Sequence, residues 1–342
     1  MSRYRRIFVC MAAAVIFLLG AYQGWAAEWT PKEKFLKIGT ASSGGLWYLS
    51  GARLAAEIEK NIPGIKVSST TGGGLANPKN VNSGEVQFGI TFTPMLKSAY
   101  YGAPPYYEGK PHRNLRVLYV NNLCAYTFVV SKDSKIYGFK DLHNARISPC
   151  PKYYLSHVIT KWILEYYGIT YESIKEAGGM VTGLSYGDAT AMIQDKLLDG
   201  LANIPAGPMP HIINLAQNPG IRILPIEEEV REKILADPRF EGWEKMTIPA
   251  RCYKGVEKPI PSIATGEVYI VHKDMSEELV YRIAKLIHES EGLKEIYKSA
   301  RELGFPPAFD LSIAKSSMVI PVHPGAARFY KEKGITIPPI KE

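Results

Sequence analysis

Gly183-Leu184-Ser185-Tyr186-Gly187 fits the pattern G-x-S-x-G, and a helical stretch follows it. In that pattern a serine on a sharp strand-to-helix turn can serve as a nucleophile. His323 lies downstream, with Asp274 or Asp310 before it, so the chain order of a hydrolase triad is present. The stretch before the motif, residues 176–182 (EAGGMVT), is only weakly apolar, whereas such a turn needs a strong strand behind it. No HGGG-like loop offers an oxyanion site, although Gly72-Gly73-Gly74 could be pressed into that role. The simpler reading is a turn in which Ser185 or Asp188 caps a helix. His323, a lone histidine beside Pro and Gly, is read as a structural residue, since both ring nitrogens readily find local partners.

A second chemistry is anion binding. Residues 38–51, IGTASSGGLWYLSG, run from an apolar stretch through a small-residue turn into a helix. The first N–H groups of a helix have no intrahelical partner, so such a turn favours negative charge. Thr40, Ser42 and Ser43 add hydroxyl donors. No Gly-Lys-Ser/Thr follows, so this is not a phosphate-binding loop of the NTPases, and it is not GxGxxG either. Trp47 and Tyr48 stand at the helix start, where they could stack on a bound molecule. No His/Cys/Asp cluster has metal-ligand spacing, so no metal or cofactor is expected.

The elements that must position these residues alternate. Gly51, Leu54, Ala55 and Ile58 recur as one helix face, closed by Pro63 and Gly64. Residues 65–71 alternate like a strand and run into three glycines and a polar helix start at Asn77 to Asn82. Residues 86–90 read as a short buried strand, 102–113 as a Pro/Gly-rich loop, and 115–130 as strand. A short helix at Asp141-Leu142 and a strand at 145–148 come next. Pro151-Lys152-Tyr153-Tyr154 then opens an amphipathic helix with Ile159, Trp162, Ile163 and Tyr166 inward and Gly168 at its end. A third helix is expected after Asp188, with Ala189, Met192, Ile193 and Leu197 inward and Gly200 at its end. Residues 201–210 read as a short strand into a loop. Residues 220–262 resist assignment, residues 268–271 read as strand, and 277–299 as one helix. Strands and helices alternating twice over predict an α/β fold of two lobes with a ligand cleft between them.

The N-terminus reads as an export signal. Arg3, Arg5 and Arg6 precede an apolar run, and Gly24-Trp25-Ala26 offers small residues for cleavage. Cleavage after Ala26 would leave 316 residues, enough for two cores, and lower the formal charge from +8 to +5. That mild excess suits an anionic ligand and does not demand nucleic acid. Cys124, Cys150 and Cys252 would remain, an odd number that cannot all pair within one chain. There is no fixed-period repeat.

Five stretches in order carry a family resemblance: IGTASSGGLWYLSG, TTGGGLANPKNVNSGEVQFGI, DLHNARISPCP, GLSYGDATAMIQDKLLDGLANIPAGP and IPVHPGAARFYKEKGI. The chain resembles the TAXI-type solute-binding proteins of TRAP transporters. The resemblance implies a type II periplasmic-binding-protein fold and the periplasm as location. Its partners would be a small organic anion and TRAP membrane permease subunits. It further implies a monomer without catalysis, and a separate-partner sensor is the alternative. Lobe 1 would span 28–122 plus 266–342 and lobe 2 would span 123–265, with hinges near 121–124 and 264–266. Ser43, Gly44, Gly45 and Tyr48 match the first ligand loop, and Thr71, Gly72 and Gly73 the second. Phe92 and Thr93, with Pro94, fall where the family commonly has Gln, Ser and Asp. Pro205 and Ala206 fall in the IPAGP stretch. Lys152, Tyr153 and Tyr154 replace the usual Gly-Ser-Gly loop of lobe 2. A lysine at a helix N-terminus gains nothing from the helix dipole. Its presence points to a carboxylate ligand, with an apolar or aromatic portion against the tyrosines.

Overall fold

A computed structural model describes residues 29–41 and 45–340. The expected export segment, residues 1–26, lies outside the described residues, as do Ser42, Ser43 and Gly44. β1 (Phe35–Gly39) buries Leu36 and Ile38 and runs into the small-residue turn. α1 (Leu46–Asn61) follows, with Ser50, Gly51, Leu54, Ala55 and Ile58 inward, the spacing read from the sequence. Gly51 lets the helix lie close on β1, because a Cβ there would come within 2.3 Å of Thr40 Cγ2. β2 (Lys66–Thr70) leads through the three glycines to α2 (Ala76–Ser83), and β3 (Phe88–Phe92) leads straight into α3 (Thr93–Tyr101). Both strands pair parallel with β1, one on each side. Asn77, fully buried, ties the strand ends together. Its Nδ2 donates to the carbonyls of Gly39 (3.0 Å), Thr40 (2.9 Å) and Ile90 (2.7 Å), and its Oδ1 accepts from Gly73 N.

The stretch expected as one strand over 115–130 is two: β4 (Leu115–Ala125) and β5 (Thr127–Ser131). Tyr126 breaks the run, its N–H donating to Ile263 O and its carbonyl accepting from Ser262 Oγ. There the chain leaves the first sheet for the second. The second sheet is built from β6 (Arg146–Ser148), α4 (Leu155–Glu165), α5 (Tyr171–Glu176), β7 (Met180–Val181), α6 (Tyr186–Gln194), β8 (Gly200–Asn203), α7 (Pro210–Gln217) and β9 (Ile221–Ile223), with β5 between β8 and β9. Its order is β7-β6-β8-β5-β9, with β6 parallel to β7 and β8, and β5 antiparallel to β8 and β9.

Residues 220–262, unassigned from sequence, carry the return. After β9 come α8 (Glu228–Ala236), β10 (Trp243–Ile248) and the start of β11 (Ile260–His272). β11 is the long strand of the first sheet. It pairs antiparallel with β10 and then β3 along one edge, and with β4 along the other. Gly266 and Ala264 lie within this strand. The remainder is helical: α9 (Glu277–Glu289), α10 (Glu291–Ile296), α11 (Lys298–Glu302), α12 (Ala314–Ser317) and α13 (Pro324–Glu332). Of these, α9, α12 and α13 pack on the first sheet, while Ala300 of α11 is buried with Ile212 and Leu215 of α7.

Three local expectations are corrected. The helix expected over 277–299 is three pieces, because Ser290 takes an extended conformation and caps the next piece by accepting from Leu293 N. The helix after Ser185 ends at Gln194, so Leu197 lies beyond it and is 54% exposed, while Gly200 opens β8. On α4 the inward face is Ile159, Ile163 and Leu164, with Trp162 and Tyr166 only half-buried. Trp162 is covered from the side by Tyr106 and Phe240, at ring distances of 5.5 and 5.7 Å.

Candidate functional site

The strands β1, β3, β6 and β8 each end at a helix or loop facing one cavity. Gly45, Leu46 and Trp47 bring the N-terminus of α1 to it, and Phe92 brings that of α3. From the second sheet, Tyr154, Leu155 and Ser156 bring the N-terminus of α4, and Met209 brings that of α7. None of these four helices has a side-chain cap or an acidic residue in its first turn. Their helix dipoles therefore direct positive potential toward the cavity. α6 differs: Ser185 caps it, and Asp188 sits in its first turn.

The walls are otherwise mostly apolar and aromatic, with Asn203 and Glu267 among the polar members. Trp47 and Phe92 pack with ring centroids 4.8 Å apart, and Tyr154 meets Tyr186 edge-on at 5.8 Å. Tyr186 stacks on His211 at 4.3 Å and 8°. Glu267, from β11, is the charged side chain among the lining residues and is 1% exposed. Its Oε2 accepts from Trp47 Nε1 (2.5 Å) and Cys124 Sγ (3.5 Å), and its Oε1 from the amides of Asn121 and Asn122. Burial pushes its carboxyl above the usual range, against the pull of those four donors. Four donors occupy the four lone-pair sites of a carboxylate. Glu267 is thus committed to the protein, and it holds the Trp47 indole in place.

Of the residues expected at the site, Gly45, Trp47, Gly73, Phe92, Tyr154, Pro205 and Ala206 line the cavity. Ser43 and Gly44 lie outside the described residues. Six others do not line it. Thr71 is exposed and Tyr48 half-buried. Gly72 packs on Asn77, with room for no Cβ: one would lie 2.1 Å from Asn77 Oδ1. Thr93 is buried and donates to Gly266 O at 3.1 Å. Lys152 and Tyr153 stand at the outer corner of a turn closed by Tyr154 N to Pro151 O at 2.9 Å, which turns Tyr154 inward and leaves Lys152 exposed. Tyr153 lies over Gly73 from the other side of the cleft, its Cδ2 3.5 Å from where a Cβ would stand. Sequence reasoning missed Tyr186, Asn203 and Glu267. The signal for Glu267 was present: it is a single acid inside the apolar run IATGEVYIV.

The triad geometry is absent, because each member has a local partner. Ser185 Oγ accepts from Asp188 N (3.2 Å) and donates to Asp188 Oδ2 (2.6 Å). His323 caps α13 through Gly325 N and donates from Nε2 to Met275 O. Asp310 accepts from Ser312 N, and Asp274 lies 3.7 Å from His272. Cys124, Cys150 and Cys252 are buried free thiols.

The sequence matches the NMT1-like family over residues 38–334. This protein belongs to the NMT1-like family. Among solved structures, this family member is similar to PhnD1 from Prochlorococcus marinus in complex with methylphosphonate. The two share 11% identity over 89% of this chain and 99% of the other, with a TM-score of 0.53. It is also similar to the periplasmic aliphatic sulphonate binding protein SsuA from Escherichia coli, at 16% identity over 91% of this chain and 94% of the other, with a TM-score of 0.47. At such identities the PhnD1 likeness is one of fold. The NMT1-like chain thus has the two-sheet α/β architecture of periplasmic binding proteins.

Proposed function

We propose that the protein is a periplasmic solute receptor that captures a small organic anion and hands it to a membrane permease of the TRAP type. The observation that carries this is the convergence of four uncapped, acid-free helix N-termini on one largely aromatic cavity. Such a cavity suits a carboxylate bearing an apolar or aromatic portion. The lobes proposed are 28–122 plus 266–342 and 123–265, closing on the ligand and opening to release it. Gly45, Trp47, Gly73, Phe92, Tyr154, Pro205 and Ala206 are the proposed contacts. Lys152 and Tyr153 are assigned to the rim. The mature receptor would begin near Ala27 and act as a monomer, without catalysis or cofactor.

Calorimetry with matched probes tests this. Benzoate, phenylacetate and hexanoate should bind, and the neutral or cationic counterparts benzamide and benzylamine should not. Equal binding of benzylamine and benzoate, or binding of none of the three acids, overturns the anion reading.

A further inference from the structure

Asn203 ends β8 at the cavity and is 2% exposed. The backbone N–H of Ile204 stands 2.7 Å from its Oδ1. A backbone amide can only donate, so this contact fixes which end of the carboxamide is oxygen. The rest of the network follows from that one donor. The Tyr186 hydroxyl, 2.9 Å from the same oxygen, donates to it. Asn203 Nδ2 lies 2.9 Å from His211 Nε2 and must donate there, so Nε2 is the bare nitrogen and the ring proton sits on Nδ1. Burial pushes His211 down to about 4, in keeping with a neutral ring.

The accounts of this amide are then nearly closed. Both lone pairs of Oδ1 are taken. Nδ2 carries two protons, and His211 takes one. The second meets no acceptor among the described residues, although Asn203 is buried and on the cavity wall. A buried donor without an acceptor is costly, and its natural partner is an oxygen of whatever fills the cavity.

We infer that Asn203 is a specificity-determining donor, giving its second Nδ2 proton to a carbonyl or carboxylate oxygen of the bound molecule. Tyr186 and His211 are positioning residues, since they lock the amide so that it cannot turn over and accept instead. A molecule presenting an N–H or ammonium at this wall meets a proton head-on and is rejected. The inference rests on reading the cavity as a solute site.

Nitrogen-15 NMR of the full chain tests the network without any bound molecule. His211 should carry its proton on Nδ1, and an Nε2–H tautomer overturns the inference outright. Benzoate is the probe for the contact. On titration one of the two Asn203 side-chain protons should move while the His211-bonded one stays, and two unmoved protons overturn the assignment. In calorimetry, Asn203→Ala should weaken benzoate about tenfold and Asn203→Asp more than that, since a carboxylate would face the probe. Wild-type affinity retained within about twofold in both variants overturns the Asn203 assignment and leaves the solute-site reading standing. Wild-type protein that binds none of benzoate, phenylacetate and hexanoate overturns both.

Discussion

The indole Nε1 of Trp47 donates to Glu267 Oε2 at 2.5 Å, joining the first turn of α1 to the middle of β11. The same carboxylate holds Asn121, Asn122 and Cys124, just before β4 leaves the first sheet. One buried acid therefore links the cavity wall to the strand that crosses between sheets.

Glu267→Gln should destabilise the protein. The new amide can accept at one end only, so two of the four donors face a donor. Leaving buried donors unpaired costs about 1–3 kcal/mol each, partly offset by removing a buried charge. A drop of several degrees in melting temperature is expected. The pH profile gives the sharper signature. Burial raises the carboxyl of Glu267, so just above the ordinary glutamate value the folded state holds a proton that the unfolded state has released. Stability contributed by this group therefore falls as pH rises through that window. Thermal denaturation across mildly acidic pH should show this fall in the wild type and its loss in Glu267→Gln. A variant with the wild-type slope would show that Glu267 does not titrate there.

Trp47 reports on the cavity it lines. Its ring lies 4.8 Å from Phe92, and its Nε1 is fixed by Glu267. Saturating benzoate should alter intrinsic fluorescence, and Trp47→Phe should remove most of the change. A response of wild-type size in the variant would assign it to another tryptophan, Trp29, Trp162 or Trp243.

Tyr154 and Lys152 separate two positions in one loop. Lys152 is exposed and off the lining, whereas Tyr154 stands at the start of α4 and lines the cavity. Lys152→Ala should change benzoate affinity by less than about twofold, because exposed charges are strongly screened. Tyr154→Ala should weaken it by about tenfold or more through lost aromatic contact. Calorimetry on both variants decides the point, and the reverse order would return the lysine to the site.

These contrasts mark how much of the molecule was legible in advance. The α/β alternation and the inward face of α1 follow from periodicity, a property of neighbours in sequence. Gly45 and Gly73 were named through the family resemblance and Tyr154 as a departure from it, and the structure places all three on the cavity wall. Lys152 was misplaced because the direction of a side chain depends on a turn, here closed by Tyr154 N to Pro151 O. Glu267 and Asn203 reach the site through strand pairing across long sequence separations, which no local pattern records. β10 and the first half of β11 were obscured by the surrounding charge and proline, although their pairing with one another is regular.

Ser185→Ala should behave as a loss of a helix cap. The hydroxyl accepts from Asp188 N at 3.2 Å, and removing such a cap costs about 1 kcal/mol. Denaturant unfolding should show that loss, while benzoate binding persists. Purified protein should not label at Ser185 with a fluorophosphonate probe, because its proton is directed to Asp188 rather than to a histidine. Labelling at that residue would restore the hydrolase reading.

The three consecutive glycines should respond differently to alanine, because each meets a different neighbour. A Cβ on Gly72 would lie 2.1 Å from Asn77 Oδ1 and 3.1 Å from the Thr40 carbonyl. Asn77 cannot retreat without releasing the Gly39, Thr40 and Ile90 carbonyls it holds. Gly72→Ala should therefore cost about 1–3 kcal/mol or more, the range for stranding buried polar groups. A Cβ on Gly74 would lie 2.7 Å from Met95 Sδ. Met side chains adapt, so Gly74→Ala should cost about 1 kcal/mol, the low end for overpacking. On Gly73 the nearest atom is Tyr153 Cδ2 at 3.5 Å, an ordinary contact. Gly73→Ala should leave stability unchanged or raise it by about 0.4–1 kcal/mol through the unfolded chain. It should nevertheless weaken benzoate binding, because the added methyl stands where the loop lines the cavity and meets Tyr153 across the cleft. Urea unfolding of the three variants, with calorimetry on Gly73→Ala, checks the order. Equal losses in all three would mean that the loop acts as a generic turn rather than as three separately constrained positions.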